Sequence, residues 1–401
     1  MGEWKTDKLG NLLVLCTERN THRQISLVLT VSNVNGLIPQ SENFNRGRIL
    51  ASQNTTTYRI VRNGDYAYNP ARINVGSIAR LKNYDNGIIS PMYVCFAVNS
   101  KLSGDYLEHF LRTKYFADEV KRRLSGSVRE CLNYSGLCDI NITYPTSIHE
   151  QCRIAAVLSS IDDAIAASLA LVDKYTVVKQ GLMQDLLEPR EGWITKSFAE
   201  LGFTYAGLRG KRKSDFGIGV PFIPYMNIFN NASINPNSLE YVRIGKNECQ
   251  NVVKTGDVLF TTSSETPEEV GMSSVLTENI GLVYLNSFCF GFRLFKPINF
   301  DLNFLVYALR GERIRKQMFI AAQGSTRHNL SKQNFYRMEL CYPVLLNEQQ
   351  NIAQILLAAD ECLTAERAHL TKLENVKRGL MNDLLTNRVN TKNMKGVFAN
   401  V

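Results

Sequence analysis

The sequence predicts an α+β protein in which one unit of roughly 200 residues occurs twice. We expect two similar globular domains of mixed helix and strand, separated by two long antiparallel coiled-coil helices. Three observations predict this fold: a long internal repeat, an apolar period at the end of each copy, and short strand-like runs elsewhere. With 401 residues, of which 44% are hydrophobic and 21% are charged, the chain is long and apolar enough for more than one core.

The repeat is clearest in the segments 144–187 and 342–385, which align without a gap at a constant offset of 198. Both segments contain the motif E-Q-x-x-I-A, and both end in K-x-G-L-M-x-D-L-L. The earlier part of each copy has diverged, although the only two tryptophans, Trp4 and Trp193, each begin one copy. Self-similarity at a fixed offset indicates a repeated structural unit, so both copies are expected to share a fold.

The shared end of each copy predicts a long helix. Apolar side chains recur there at alternating spacings of four and three residues, which is the seam of a coiled coil. Both seams are interrupted at equivalent positions, Ser168 with Glu366 and Lys179 with Lys377. The intervening chain is long enough to return, so we expect an antiparallel pair. The predicted coiled-coil and partner-interface residues are Ile154, Leu158, Ile161, Ile165, Leu182, Leu186, Ile352, Leu356, Leu363, Leu380 and Leu384.

The diverged parts of the two copies are predicted to be compact domains that contain many loop residues. Runs with strand character at 93–98, 256–262 and 287–295 are separated by clusters of Asn, Gly, Ser and Pro. The segments 106–124 and 303–319 are expected to be helical, with basic residues late in each. The globular domains are therefore predicted to be α+β.

These patterns divide the chain into five parts. They are a globular domain at 1–145, a helix at 146–187, a globular domain at 188–343, a helix at 344–387 and a tail at 388–401. The formal net charge is +9, and both domains are basic: the first holds 18 Lys and Arg against 12 Asp and Glu, and the second holds 18 against 14. A duplicated basic domain suggests a polyanionic partner, whereas the plainer alternative is a charge that serves solubility alone.

The cysteines and the N-terminus favour a protein of the cytoplasm. The nine cysteines include no C-x-x-C pair, so neither a disulfide framework nor a zinc knuckle is expected. No uninterrupted apolar run approaches about eighteen residues, and the first residues lack the pattern of a signal peptide. Neither a membrane span nor export is therefore predicted.

The motifs of common enzymes are missing. The stretch 207–214 reads GLRGKRKS and fails the phosphate-loop pattern, and no H-E-x-x-H, G-x-S-x-G or amino-methyltransferase tetrad appears. The five histidines have no metal-ligand spacing. The expectation is a chain that performs no catalysis and binds no metal.

Basic and polar residues on predicted loops are the candidate DNA-binding groups. Cations on loops can neutralise phosphates, and arginine can also read base edges in the major groove. Equally, any one such run could be a solvated loop that contacts nothing. The candidates are Arg46, Arg48, Ser127, Arg129, Arg209, Lys211, Arg212, Lys213, Ser325 and Arg327.

The architecture, together with the repeated E-Q-x-x-I-A and K-x-G-L-M-x-D-L-L motifs, resembles the specificity (S) subunits of type I restriction-modification enzymes. The resemblance implies that the globular domains 1–145 and 188–343 are target recognition domains, each of which reads one half of a split double-stranded DNA target. The helices would then act as a ruler and as the docking surface for two methyltransferase subunits, with restriction or translocase subunits as further partners. It also implies that S-adenosylmethionine, ATP and Mg belong to partner subunits, with no cofactor bound by this chain.

Two other classes of function stay open at this stage. A coiled-coil scaffold that assembles partners without nucleic acid would show no salt-dependent DNA binding. A stand-alone enzyme with an unrecognised site would turn over a substrate without any partner.

Overall fold

The computed structural model describes residues 3–32, 35–43, 54–125, 130–324 and 327–386. These residues fold into two compact units. The first unit comprises the described residues up to Leu169 and those from Ala368 onward, and the second is Ala170–Arg367. Two helices of 39 residues cross from one unit to the other, so each unit contains one half of each helix.

The first unit is α+β, as the sequence predicts. In chain order its elements are β1 (Trp4–Lys8), β2 (Leu13–Cys16), β3 (Leu29–Ser32), β4 (Gly36–Pro39), α1 (Gln40–Asn43), β5 (Arg59–Arg62), β6 (Tyr66–Tyr68), β7 (Ile78–Arg80), β8 (Asn86–Ile89), β9 (Val94–Val98), α2 (Gly104–Leu111), α3 (Lys114–Arg123), α4 (Tyr134–Cys138) and β10 (Asn141–Pro145), followed by the long helix α5 (Ile148–Leu186).

The second unit contains the same kinds of element. They are β11 (Trp193–Ser197), α6 (Phe198–Leu201), β12 (Gly202–Ala206), β13 (Phe216–Ile223), α7 (Tyr225–Asn230), β14 (Glu240–Val242), β15 (Val258–Thr261), β16 (Ser263–Ser264), β17 (Ser273–Val275), β18 (Tyr284–Leu285), β19 (Cys289–Leu294), α8 (Leu302–Ala308), α9 (Glu312–Ala321), β20 (Ala322–Gln323), β21 (His328–Leu330), α10 (Lys332–Arg337) and β22 (Glu339–Pro343), followed by the long helix α11 (Leu346–Leu384).

The two units share a sheet topology. The first contains a four-stranded antiparallel sheet in the order β2-β9-β6-β7, and the second contains one in the order β12-β19-β15-β17. In each unit the first strand pairs with the last, so Trp4 lies opposite Pro145 and Trp193 lies opposite Pro343. The fold is therefore repeated even where the two sequences have diverged.

Each unit has its own apolar core, and both long helices contribute to it. In the first unit Ile154 and Leu158 of α5 pack in one cluster with Leu384 of α11. In the second unit Ile352 and Leu356 of α11 pack in one cluster with side chains from the end of α5. The start of one helix thus meets the end of the other within a unit, which is the predicted antiparallel pairing.

Two equivalent glutamines fasten the start of each long helix to its domain. Gln151 and Gln349 are both fully buried. Gln151 Oε1 accepts a hydrogen bond from the Ser103 N–H at 2.7 Å, and its Nε2 donates to the carbonyls of Lys101 and Pro145. Gln349 makes the same three bonds at positions 198 residues further along the chain. A buried amide must have its hydrogen bonds satisfied, so these residues fix the helix on the domain.

The predicted helices at 106–124 and 303–319 are each divided in two. The first becomes α2 and α3, because Thr113 has an extended backbone and its hydroxyl accepts a hydrogen bond from the Phe116 N–H. The second becomes α8 and α9, with Gly311 in extended geometry at the junction. A helix cap of this kind ends one helix and begins the next, which the apolar pattern alone does not show.

Helix α5 also satisfies the length and composition of a membrane span. Its most apolar window has a mean hydropathy of 1.7, and α5 is the one such helix among the described residues. No uninterrupted apolar run of that length occurs in the sequence, because serine and aspartate residues interrupt the apolar residues of α5. Within the first unit, part of this apolar surface is buried in the core around Ile154 and Leu158.

Candidate nucleic-acid interface

The predicted DNA-binding residues fall into two groups. Arg209, Lys211, Arg212, Lys213 and Arg327 belong to the second unit and are described. The remaining candidates, Arg46, Arg48, Ser127, Arg129 and Ser325, lie outside the described residues. The geometry of the candidate interface therefore comes from the second unit.

The side chain of Lys211 is buried and paired, so it does not belong to the exposed group that the sequence predicts. It is only 7% exposed, and its Nζ lies 2.5 Å from Glu248 Oε2. The same ammonium donates to the Arg243 carbonyl at 2.6 Å. The hydrogen bond from Lys211, with others from the Gly245 N–H and the Gln250 amide, lowers the pKa of Glu248 to about 2. Lys211 therefore joins two loops and is not available to a phosphate.

The backbone around Lys211 is fixed by further bonds to the second loop. The Arg209 N–H donates to Gln250 Oε1 at 3.0 Å, and Gln250 Nε2 donates to the Arg209 carbonyl at 2.8 Å. The Arg212 N–H donates to the Asp215 carboxylate at 2.8 Å, and the Arg243 N–H donates to the Asp215 carbonyl. These bonds hold both loops together, while the arginines themselves are exposed to solvent.

Five exposed cations surround this scaffold, and we call them the basic loop surface. They are Arg209, Arg212, Lys213, Arg243 and Lys246. In the part of the chain that the structure describes, none of them forms an ion pair with a carboxylate. The sequence pattern does not predict Arg243 and Lys246, because their loop is brought beside the first one by tertiary contacts, among them those of Lys211 with Glu248 and of Arg209 with Gln250.

Other cations of the second unit have structural partners. Arg310 donates to the carbonyls of Ser273, Ile228 and Asn231, and its burial lowers its pKa to about 10. Arg293 forms an ion pair with the buried Asp257 at 2.7 Å. The net charge of a domain therefore overstates the number of cations that can reach a partner.

Arg327 is exposed and stands just before β21. Its carbonyl accepts a hydrogen bond from Asn329 Nδ2 at 3.2 Å. Among the described residues, no cluster of three or more His, Cys, Asp or Glu side chains could hold a metal ion.

The predicted seam residues of the long helices lie inside the units. Ile154, Leu158, Ile352, Leu356 and Leu384 are buried, and the other six are buried or half-buried. The first five pack in the apolar clusters of their own units. The buried members cannot also be a partner interface, because their side chains are covered by the chain itself. Any docking surface on the helices must use their outer faces.

Residues 209–375 match the family model of the type I restriction modification DNA specificity domain. The resemblance to type I specificity subunits is confirmed. The matched range begins at the basic loop surface and extends into α11.

Two specificity subunits of Methanocaldococcus jannaschii are similar in sequence. The putative type I restriction enzyme MjaX specificity subunit is 24% identical over 71% of this chain and 67% of its own length. The type I restriction enzyme MjaVIII specificity subunit is 22% identical over 77% of this chain and 76% of its own length. Similarity at this level extends well beyond the matched domain.

Solved structures share the fold of this chain over nearly its whole length. The type I restriction-modification S subunit from M. genitalium has a TM-score of 0.57 at 13% identity, and the match covers 96% of each chain. A chain from a structure of type I restriction-modification complex assembly has a TM-score of 0.56 at 14% identity, covering 95% of this chain and 97% of that one. At such identities the comparison shows the fold alone.

Proposed function

We propose that this chain is the DNA sequence-recognition subunit of a type I restriction-modification system. Recognition domain 1–145 would read one half of a bipartite target, and recognition domain 188–343 would read the other half. The observation that carries this proposal is the specificity-domain match at 209–375 combined with the same sheet order in both units. A fold that occurs twice in one chain supports recognition of two DNA half-sites, one by each domain.

The basic loop surface supplies the electrostatic part of the proposed binding. Its cations lie on loops whose backbone is held by the Lys211–Glu248 pair, so they are positioned before DNA arrives. Phosphate contacts of this kind orient a protein on the duplex, whereas contacts with base edges specify the sequence. This surface therefore accounts for affinity and orientation, and base reading requires other side chains.

The long helices are proposed to act as the ruler between the readers and as the dock for two methyltransferase subunits. Several apolar side chains on their outer faces are exposed, namely Leu169, Val177 and Val178 on α5 and Ile355 and Val376 on α11. Gly181 and Gly379 occupy equivalent exposed positions, and a Cβ at either would meet no described atom within 4 Å. Glycine in a helix costs about 1 kcal/mol relative to alanine, so a partner backbone that approaches closely would explain both.

Catalysis is assigned to the partner chains in this proposal. S-adenosylmethionine would bind the methyltransferase subunits, and ATP and Mg would serve restriction or translocase subunits where these are present. The chain itself would bind no cofactor and would work in the cytoplasm, where DNA and these partners meet.

Mapping methylated adenines in host DNA tests the proposal. Deleting the gene should remove one bipartite methylation motif, because the partner methyltransferases lose their sequence reader. Replacing 188–343 by the corresponding domain of another specificity subunit should change one half of the motif and leave the other half intact. An unchanged methylation map after deletion would contradict the proposal and favour a scaffold that does not contact DNA.

A further inference from the structure

The ribbon formed by β13 and β14 carries an exposed aliphatic side chain at its outer end. Phe216 and Val220 both lie opposite Val242, so residues 217–219 have no partner on β14 and form a bulge. Ile218, at the centre of this bulge, is 57% exposed. An isoleucine at such a position contributes little to the core of its own unit.

Two glycines make the bulge possible. Gly217 has φ of 100° and Gly219 has φ of 116°, a backbone region that other residues rarely adopt. A Cβ at Gly219 would lie 2.4 Å from the Val242 carbonyl oxygen, whereas a Cβ at Gly217 would meet no described atom within 4 Å. Ile218 is therefore flanked by two residues without side chains, and another molecule can approach it closely.

The basic loop surface is continuous with this bulge along the chain. Arg212 and Lys213 lie just before β13, and Arg243 directly follows Val242 on the opposite strand. β13 also pairs with β18, but only at Phe222 and Ile223, so the outer end of the ribbon has two strands. The outer end of this two-stranded ribbon thus combines an exposed aliphatic side chain with exposed cations that are close to it in the chain.

We infer that Ile218 contacts the C5 methyl group of a thymine in the major groove, within the half-site that the second unit reads. This inference rests on the proposed function and names one specificity-determining residue for it. The major groove admits a two-stranded β-ribbon, and the thymine methyl is the apolar group that a base edge presents there. An aliphatic side chain makes no hydrogen bonds, so this methyl is the feature of a base edge that Ile218 can recognise.

The packing of Phe216 supports a contact with a methyl group over insertion between bases. The ring of Phe216 packs edge-on against Phe222, with ring centroids 5.5 Å apart, so it is held by the ribbon. Within the bulge and its first flanking residue, Ile218 is then the more exposed apolar side chain, at 57% against 37% for Phe216. Side chains that wedge between base pairs act from the minor groove and kink the duplex, which gives a different experimental signature.

The test uses the full chain with its methyltransferase partners and the motif that methylation mapping assigns to it. Duplexes with this motif carry uracil in place of one thymine at a time, which removes only the C5 methyl group. With the wild-type protein, we expect uracil at one position to weaken binding roughly fourfold, the effect of losing one buried methyl group. Ile218→Ala should weaken binding to the thymine duplex similarly and show no further loss with uracil.

The control variant is Ile298→Ala, which removes another exposed isoleucine of the same unit, 84% exposed. It should keep the preference for thymine. In cells, Ile218→Ala should make the methylation motif degenerate at one T·A position and leave its other half unchanged.

Three outcomes would overturn the inference. One is thymine preference that persists in Ile218→Ala. A second is an unstacked base step, reported by 2-aminopurine fluorescence, that occurs in the wild-type complex and is absent with Ile218→Ala. That result would show that Ile218 inserts between base pairs. A third is the absence of sequence-specific binding in the wild type and in Ile298→Ala alike, which would refute the proposed function as well.

Discussion

Lys377 donates to Asp162 at 2.5 Å within the first unit, and Lys179 makes the same ion pair with Asp360 within the second. All four groups lie at positions related by the offset of 198. The second oxygen of each aspartate has a different partner, Arg112 in the first unit and the Tyr307 hydroxyl in the second. The lysines that interrupt the apolar seam therefore pair the two helices. A polar group within such a seam can specify helix register at some cost in stability.

Reversing one of these charges should loosen the first unit. Lys377→Asp places two carboxylates together, and both side chains are about one quarter exposed, so we expect a loss of roughly 1 kcal/mol in local stability. Hydrogen exchange of the backbone amides of residues 148–169 measures this loss of local stability. The double variant Asp162→Lys/Lys377→Asp should recover much of the loss. Lys372→Asp, at an exposed position of the same helix, is the control and should have little effect. Equal effects of Lys377→Asp and Lys372→Asp would show that the Lys377–Asp162 ion pair does not stabilise the first unit.

The Lys211–Glu248 contact should make the basic loop surface sensitive to acid. Folding lowers the pKa of Glu248 to about 2. The stability that its ionised carboxylate gives to the two loops is therefore complete above the ordinary pKa of a glutamate and is lost as pH falls toward 2. Limited proteolysis of the loops at pH 5 and at pH 3 should show faster cleavage at the lower pH. Glu248→Gln should remove most of this pH dependence, whereas Glu240→Gln, on the exposed part of β14, should preserve it. Cleavage that is insensitive to pH in the wild type would refute this role.

Removing exposed cations should change the salt dependence of DNA binding. The triple variant Arg209→Ala/Arg212→Ala/Lys213→Ala should bind more weakly to all sequences. The slope of log K against log salt should fall by about 0.9 for each phosphate that the variant no longer neutralises. Titrations at several salt concentrations measure it. Lys372→Ala removes an exposed cation from α11 and is expected to leave the slope unchanged. An unchanged slope in the triple variant would show that DNA binds elsewhere.

Lengthening both helices at their midpoints should change the spacer of the target. Inserting four residues after Ser168 and four after Glu366 leaves the Asp162–Lys377 and Lys179–Asp360 pairs within their own units. At 1.5 Å per residue, each helix gains about 6 Å, so the unread spacer should change by at most about two base pairs. Methylation mapping reads the spacer and both half-sequences at once. Altered half-sequences with an unchanged spacer would contradict the proposal that the long helices set the spacer length.

The sequence by itself determined the duplication, the mixed α+β class and the two long helices. These features follow from local periodicity: apolar side chains at alternating spacings of four and three leave few alternatives to an amphipathic helix. The seam residues Ile154, Leu158, Ile352 and Leu356 are buried as this pattern requires. The motifs shared by the ends of the two copies also indicated the resemblance to type I specificity subunits.

Only the tertiary structure decided which charged side chains are exposed. Lys211 stands in a basic run with Arg209, Arg212 and Lys213, yet its side chain is buried because Glu248, 37 residues away, supplies a partner. Likewise Lys377 interrupts an apolar pattern for a reason that lies on the other helix. Ion pairs and burial depend on groups brought together by the fold, whereas helix periodicity depends on near neighbours in the chain.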